Sequence, residues 1–486
     1  MTPSPSECSL SDLESSLKSL SLASEPNDQP SISRGLASDS DDEPLINRAF
    51  VAPNTRSSNI SLLDRKGAQG PKKKRIRKKT AAMKAYHQKK AQQKRPGRRT
   101  RRKRKGVISQ LSSTPLSGPL CKTSRSAVPC DLFPQITSEY RQMKEERRLA
   151  QEYYQAHGGS EPSKKTIYKR KPTPQEIQDA YAYVNNKEKF QLYDYGHIRA
   201  FDPENQDQLI ADIHFTDLQT ISETKKADLE FLCLFLHEAK RFVNPVRSPG
   251  RSCGGCMWAI GWRKSMAKLE ILGIYQNKKA IDAHPELYAK HTNNSTRAGQ
   301  ILWSIFHPLA NVAVEANQQF MINHNIPAFF DRAFPNENNA SPDSFFSSNL
   351  TFTSNGFFNH PHVDDKDEPS LPFAFLLSLP ICKKTGRLAF ESDGYDVEEG
   401  PFIFPELGFG IKFRPDTMCQ ATFRQRDYIH GTLPPVEPGN FSRLGMSMQI
   451  AAKVTRMADR ITHGDFEEKT DMHFADVEFL SKKSEK

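Results

Sequence analysis

The side chains best suited to chemistry lie in the last third of the chain. In Phe358-Asn359-His360-Pro361-His362-Val363-Asp364 the alternation of a strand puts His362 and Asp364 on the same side, two residues apart, where the pair can chelate one metal ion. The spacing alone says little: with fourteen histidines in the chain and an ordinary share of aspartate, about one His-x-Asp arises by chance. A second occurs at His463-Gly464-Asp465, followed only by His473 and by no arginine. After His362, by contrast, His430 comes 68 residues on, just ahead of Gly431 and Thr432, and Arg443 follows thirteen residues later. Two neutral imidazoles and one carboxylate on one face suit Fe(II), with three positions left open. Arg443 then suits the far carboxylate of 2-oxoglutarate as a bidentate partner, the keto-acid end chelating the iron. Two plainer readings stay open. One is a surface histidine and a turn aspartate unrelated to His430 and Arg443; the other is a zinc site, which takes the same ligands but gives no reason for the arginine.

These residues need strands to bring them together, and the pattern supplies them. Beyond Pro327 the candidates are Leu350 to His362, Pro372 to Pro380, Gly386 to Glu391, Leu407 to Phe413, Tyr428 to Thr432 and Ser442 to Ala451, separated by Gly, Pro and Asp. On the last strand Gly445, Ser447 and Gln449 share the Arg443 face, while Leu444, Met446, Met448 and Ile450 point the other way. Upstream, helices are expected near Ser138 to His157, from Thr173-Pro174-Gln175-Glu176 (cap, first-turn proline and capping glutamate) to Asn186, from Lys226 to Phe242, and from Ser295 to about Asn323. Phe190 to Phe201, Gln208 to Phe215 and Met257 to Trp262 read as strands. The fold class is therefore α+β: a double-stranded β-helix (jelly-roll) core with helices packed on one face.

Composition bounds the rest. Residues 1–40 hold thirteen serines and few aromatics, too little apolar surface to offset the entropy of ordering. Residues 72–105 hold nineteen Lys or Arg and no acid; 69 basic residues in all leave fifty against 57 acidic ones elsewhere, net −7. A mildly acidic domain thus carries a basic arm, expected to contact the phosphate backbone of DNA, an import receptor, or both, and to place the protein in the nucleus. The expected layout is a disordered region over 1–134 that includes the arm, an extension packed on the core over 135–245, the catalytic core over 246–455, and a charged tail over 456–486. The sequence has no run long and apolar enough to span a membrane and no signal-peptide pattern, and its eight cysteines do not suggest a disulfide framework. Cys253-Gly254-Gly255-Cys256 lacks a second pair at zinc-ribbon distance and reads as a turn before a strand. His360 matches the alternation of His362 and is expected to stand behind the metal ligands.

The stretch from Leu350 to Ala451, with Asn359 to Asp364, His430-Gly431-Thr432 and Arg443, resembles the Tet/JBP family of 2-oxoglutarate and Fe(II) dioxygenases, near its fungal Tet-like branch. Met257 to Lys264 resembles a segment ahead of that core, and the likeness covers about residues 200 to 455. It implies oxidation of the methyl group of a 5-methylpyrimidine in DNA, 5-methylcytosine foremost, on a nucleotide flipped from the duplex. It also implies that Asp367, three residues after Asp364, faces the flipped base. Ala451 stands where some members have a histidine. The rival expectations are a protein hydroxylase or alkylated-base repair enzyme on the same scaffold, and a non-catalytic nucleic-acid-binding protein of a mobile element.

Overall fold

A computed structural model describes residues 81–115, 119–266, 269–332, 334, 344–468 and 472–473, the side chains of 81–96 and 205–207 excepted. The expectations for the acidic head and the start of the basic arm fall outside these residues. Among the described residues the helices are α1 Ala81–Ser113, α2 Pro134–His157, α3 Pro174–Val184, α4 Glu223–Phe242, α5 Lys278–Ala283, α6 Pro285–Asn293, α7 Ser295–Asn323 and α8 Ala452–Thr462. The early strands are β1 Cys121–Ser124, β2 Gln191–Tyr193, β3 His197–Asp202, β4 Asn205–Asp217, β5 Ser252–Lys264 and β6 Leu272–Ile274. The later ones are β7 Asn349–His362, β8 Ala374–Cys382, β9 Glu398–Glu399, β10 Phe402–Phe404, β11 Phe409–Ile411, β12 Thr417–Phe423, β13 His430–Thr432, β14 Pro435–Val436 and β15 Phe441–Gln449.

A curled sheet runs in the order β1-β3-β4-β12-β8-β15-β7-β13-β10-β11-β2, with β5 added along β7 and β6 along β5. It forms the jelly-roll core of an α+β protein. Its helical cover is amphipathic: Leu232 and Leu236 of α4 and Ile301, Ile305 and Leu309 of α7 share one buried cluster with Leu444, Met446 and Met448 of β15. Helix α7 breaks at Ala310 (φ −145°, ψ 48°), two residues after Pro308, where the proline ring crowds the preceding turn. Strand β12 was not among the expected strands; it holds a central place between β4 and β8. Its Gln420 and Thr422 are buried, and such polar residues interrupt the apolar signal of a core strand. The strand expected over Gly386 to Glu391 reduces to a single bridge, Ile381 to Leu388, followed by a 3₁₀ turn.

Both ends of the domain differ from expectation. The chain is folded well before residue 134: Ile108 and Leu111 of α1 are buried, Arg199 Nη1 donates to the Thr114 carbonyl at 2.7 Å, and β1 pairs in parallel with β3. The basic composition hid a short apolar stripe, Val107, Ile108 and Leu111. The core does not end at 455 either, because α8 continues to Thr462 and buries Val454 and Ala458. The α3 start is as expected. Thr173 Oγ1 accepts from the Glu176 N–H at 3.3 Å, and the Glu176 carboxylate accepts from the Thr173 N–H at 2.8 Å.

Helix α8 supplies a direct test of this boundary. Ala458 has no exposed surface, so Ala458→Asp buries a carboxylate without a partner and is expected to cost about 2 to 4 kcal/mol. Thermal denaturation should show a lowered melting temperature; an unchanged one would make α8 an ornament of the tail.

Candidate active site

The site is built across one strand pair. His362 closes β7 and His430 opens β13, and the antiparallel register sets them directly opposite each other. Their rings stand 4.8 Å apart, centroid to centroid. His362 Nδ1 lies 2.8 Å from the His360 carbonyl oxygen, and His430 Nδ1 lies 3.1 Å from that of Tyr428. A carbonyl can only accept, so each Nδ1 carries the proton and each Nε2 keeps its lone pair. Those two Nε2 atoms converge on Asp364, at 3.5 Å from Oδ1 and 3.4 Å from Oδ2. One atom from each of the three residues lies within 4.8 Å of the others, the one such cluster among the described residues.

Electrostatics keep the three ready for a cation. Burial pushes the His362 imidazole below its ordinary value and so keeps it neutral. Arg251 Nη1 donates to Asp364 Oδ1 at 2.9 Å and sets a cation beside the carboxylate, and the Asp364 N–H donates to the Gln425 carbonyl at 3.0 Å. The donor set fits Fe(II): two neutral nitrogens, one carboxylate, and a free side facing a cavity of about 250 Å³.

Arg443 lines the same cavity, with Gly445, Ser447 and Gln449 beside it on β15. Its guanidinium donates to the carbonyls of Glu399 at 3.0 Å and Gly400 at 2.7 Å, and it lies 4.3 Å from the Phe413 ring centroid. Arg424 and Arg426 are engaged elsewhere: Arg424 pairs with Asp427, and Arg426 donates to the carbonyls of Asp365 and Asp367. Of these three arginines, Arg443 is the one that lines the cavity. Gly400 needs its positive φ of 64°, and a Cβ there would collide with the Arg443 guanidinium.

Other expected residues are placed differently. Asp367 is not among the residues lining the cavity. It is buried, bridges to Ala451, and leaves Oδ2 without a hydrogen-bond partner among the described residues; burial, reinforced by the Asp364 charge, pushes its carboxyl well above the usual range. Asp367 lies five residues past the end of β7, where strand alternation no longer governs direction. His360 turns from the metal ligands to place Nε2 2.8 Å from the Arg170 carbonyl oxygen, while its own carbonyl holds His362. Cys253 and Cys256 lie within β5 at a shifted register beside Gly255, so the expected turn is a strand irregularity, and both thiols are free. His463 and Asp465 follow α8, where Asp465 pairs with Arg460 at 2.8 Å.

Two residues with direct claims on the site were not foreseen. Arg251 holds Asp364 from 113 residues away, and no local motif marks it. Tyr181 of α3 donates its hydroxyl proton to the Pro434 carbonyl at 2.7 Å and accepts from the Gly400 N–H at 2.9 Å. The N-terminal extension thus braces the peptide that holds Arg443.

Residues 222–435 match the family model described as the Tet-like 2OG-Fe(II) oxygenase superfamily. The match takes in β7 and β13, which carry His362 and His430, and Asp364 beside them. The protein is a 2-oxoglutarate-dependent dioxygenase that uses Fe(II) and 2-oxoglutarate. Among solved structures, NgTET1 in complex with 5mC DNA aligns with a TM-score of 0.31 and 8% identity, over 53% of this chain and 78% of that one. No curated protein matches the chain. Bound Fe(II) and 2-oxoglutarate supply oxygen activation coupled to decarboxylation of the keto acid to succinate, and one oxygen atom goes to a substrate C–H bond. The protein's own part is to hold the ligand lone pairs on one face of a cavity whose wall carries Arg443.

Two outcomes follow from this geometry. His362→Ala or Asp364→Ala removes one of three ligands and should abolish succinate formation in a protein that still melts cooperatively, whereas Arg443→Ala should mainly raise the 2-oxoglutarate concentration needed. Turnover persisting in folded Asp364→Ala would refute the ligand set. Tyr181→Phe touches neither metal nor cosubstrate, yet removes the bonds to Gly400 and to Pro434; steady-state kinetics should show the KM for 2-oxoglutarate rising several-fold with kcat nearly kept, by about 1 kcal/mol. An unchanged KM would mean that the Gly400 peptide is held without α3.

Proposed function

We propose that this dioxygenase oxidises the methyl group of a 5-methylpyrimidine in DNA, 5-methylcytosine being the base the family likeness favours. The observation that carries the reading is the pairing of a Tet-like dioxygenase site with a segment of nineteen cations and no acid over residues 72–105, a composition suited to a polyanion. A cavity of about 250 Å³ is too small for a duplex, so the target nucleotide must leave the stack before its methyl group approaches the iron position. The ring then lies between the ligand face and cavity walls that include Phe402, Thr351 and Asn359. The same basic segment is read as the element that an import receptor engages, which places the protein in the nucleus.

Purified protein incubated with Fe(II), 2-oxoglutarate and a methylated duplex should release succinate and yield 5-hydroxymethylcytosine in nucleoside mass spectrometry, with no product from the unmethylated duplex. Succinate formed without any altered base would reject DNA as the substrate. Asp367 enters the same assay. Its buried place behind Asp364 predicts that Asp367→Asn lowers activity on 5-methylcytosine and on thymine equally; a loss confined to 5-methylcytosine, by roughly 1 to 3 kcal/mol, would put its carboxyl on the base after all.

A further inference from the structure

The basic segment is fastened to the catalytic unit by one stripe of α1. Leu111 and Ile108 are 0% and 4% exposed, and Val107 packs with the same cluster. Arg104 Nη1 meets Asp427 Oδ1 at 2.8 Å with about a fifth of either side chain exposed. At the end of the helix Ser112 Oγ accepts from the Leu209 N–H of β4 at 3.0 Å. Helical periodicity then decides what faces away. Arg99 and Arg102 fall on the side opposite Arg104, Ile108 and Leu111, and Arg98, Lys103 and Lys105 flank them. All five are exposed, and among the described residues no carboxylate pairs with any of them.

Asp427 gives this docking its meaning. It lies in the turn between β12 and β13, where the Gln425 carbonyl accepts from the Asp364 N–H and the Tyr428 carbonyl accepts from His430 Nδ1. Arg426 of the same turn donates to the carbonyls of Asp365 and Asp367. The helix is thus clamped to the backbone that aims two of the three metal ligands.

We propose that the outward stripe of α1 is a phosphate-binding track for duplex DNA, held in fixed register with the metal centre by the Arg104–Asp427 pair. This rests on the reading of DNA as substrate, and it replaces a loose tether with a surface that is part of the catalytic unit. The dimensions suit one strand. At a rise of about 1.5 Å per residue, Arg98 to Lys105 covers roughly 10 Å, the axial span of about three phosphates. Charge selects the occupant: a row of cations without interspersed acid attracts a polyanion and offers an apolar partner nothing.

The test uses the full-length protein and an unmethylated fluorescent duplex, so that binding is read apart from chemistry. Replacing Arg98, Arg99, Arg102 and Lys105 by Gln should reduce the slope of log affinity against log salt by about 2 to 3, at roughly 0.9 per phosphate released, without lowering the melting temperature. Arg104→Gln should leave that slope within about 1 of the wild type, because Arg104 is already paired. It should instead weaken Co(II) binding, followed by visible absorption, several-fold, and Arg104→Lys should restore it. An unchanged salt slope in the quadruple variant overturns the track, and if nuclear import is lost at the same time the stripe belongs to the import receptor alone. Unaltered Co(II) affinity in Arg104→Gln overturns the fixed register. A reduced slope in an enzyme that alters no methylated base would reject the substrate reading and leave the track standing.

Discussion

The active site depends on one cross-strand register, His362 opposite His430. Antiparallel neighbours bring side chains close enough to share a small ion, but proximity alone leaves each imidazole free to turn either nitrogen inward. The carbonyls of His360 and Tyr428, each two residues before the ring it holds, remove that freedom. They fix the tautomer, the ring plane and the direction of the lone pair with the backbone itself, which side-chain fluctuation cannot displace. A slip of one residue between β7 and β13 would send a ligand to the opposite face. The buried packing of β15 against β7 and β8, with Leu444, Met446 and Met448 under α7, makes such a slip expensive.

Arg443 solves a different problem. An arginine meant to bind a dicarboxylate must be sheltered from water and still keep its charge uncommitted. A carboxylate in contact with its guanidinium would neutralise it. Here the guanidinium is met by two peptide carbonyls and an aromatic face, which orient it and leave its full charge for a ligand. Glu437, which lines the same cavity, meets Lys383 at 3.3 Å, the Ser442 hydroxyl at 2.9 Å and the Arg443 backbone N–H at 3.4 Å. Burial pushes Arg443 below its ordinary value, yet a guanidinium starts so high that it remains charged.

What was legible in the sequence is what local geometry governs. His362 and Asp364 are two residues apart at a strand end, and Arg443, Gly445, Ser447 and Gln449 of β15 all reach the cavity wall, where Met446 joins them. The Thr173 cap is likewise a matter of four adjacent residues. Tyr181 and Arg251 were illegible because their partners lie 253, 219 and 113 residues away, and neither sits in a motif of its own. Asp367 is a different case: it rests on the family likeness alone, and five residues past the end of β7 no local rule fixes its direction. The three apolar residues of α1, Val107, Ile108 and Leu111, lie just past the arm in a stretch read as disordered, and α8 beyond residue 455 was read as tail because what it buries there, Ala458, is small.

The turn from Arg424 to Tyr428 joins these parts. It connects β12 to β13 with residues that are mostly polar, and each has a structural use: Arg424 grips Asp427, Gln425 and Tyr428 supply carbonyls to Asp364 and His430, and Arg426 ties down the chain that follows Asp364. Such a turn has few apolar contacts to resist displacement, so its position is set by hydrogen bonds and ion pairs. Those bonds run in two directions. Toward the interior they aim metal ligands; toward the surface, through Asp427, they meet Arg104 of a helix whose other side is a row of unpaired cations. A polyanion drawn to that row lowers the local potential on α1, and the first acid on the protein side to feel the change is Asp427. The route from the cations of α1 to the metal ligands is therefore one ion pair and one peptide turn.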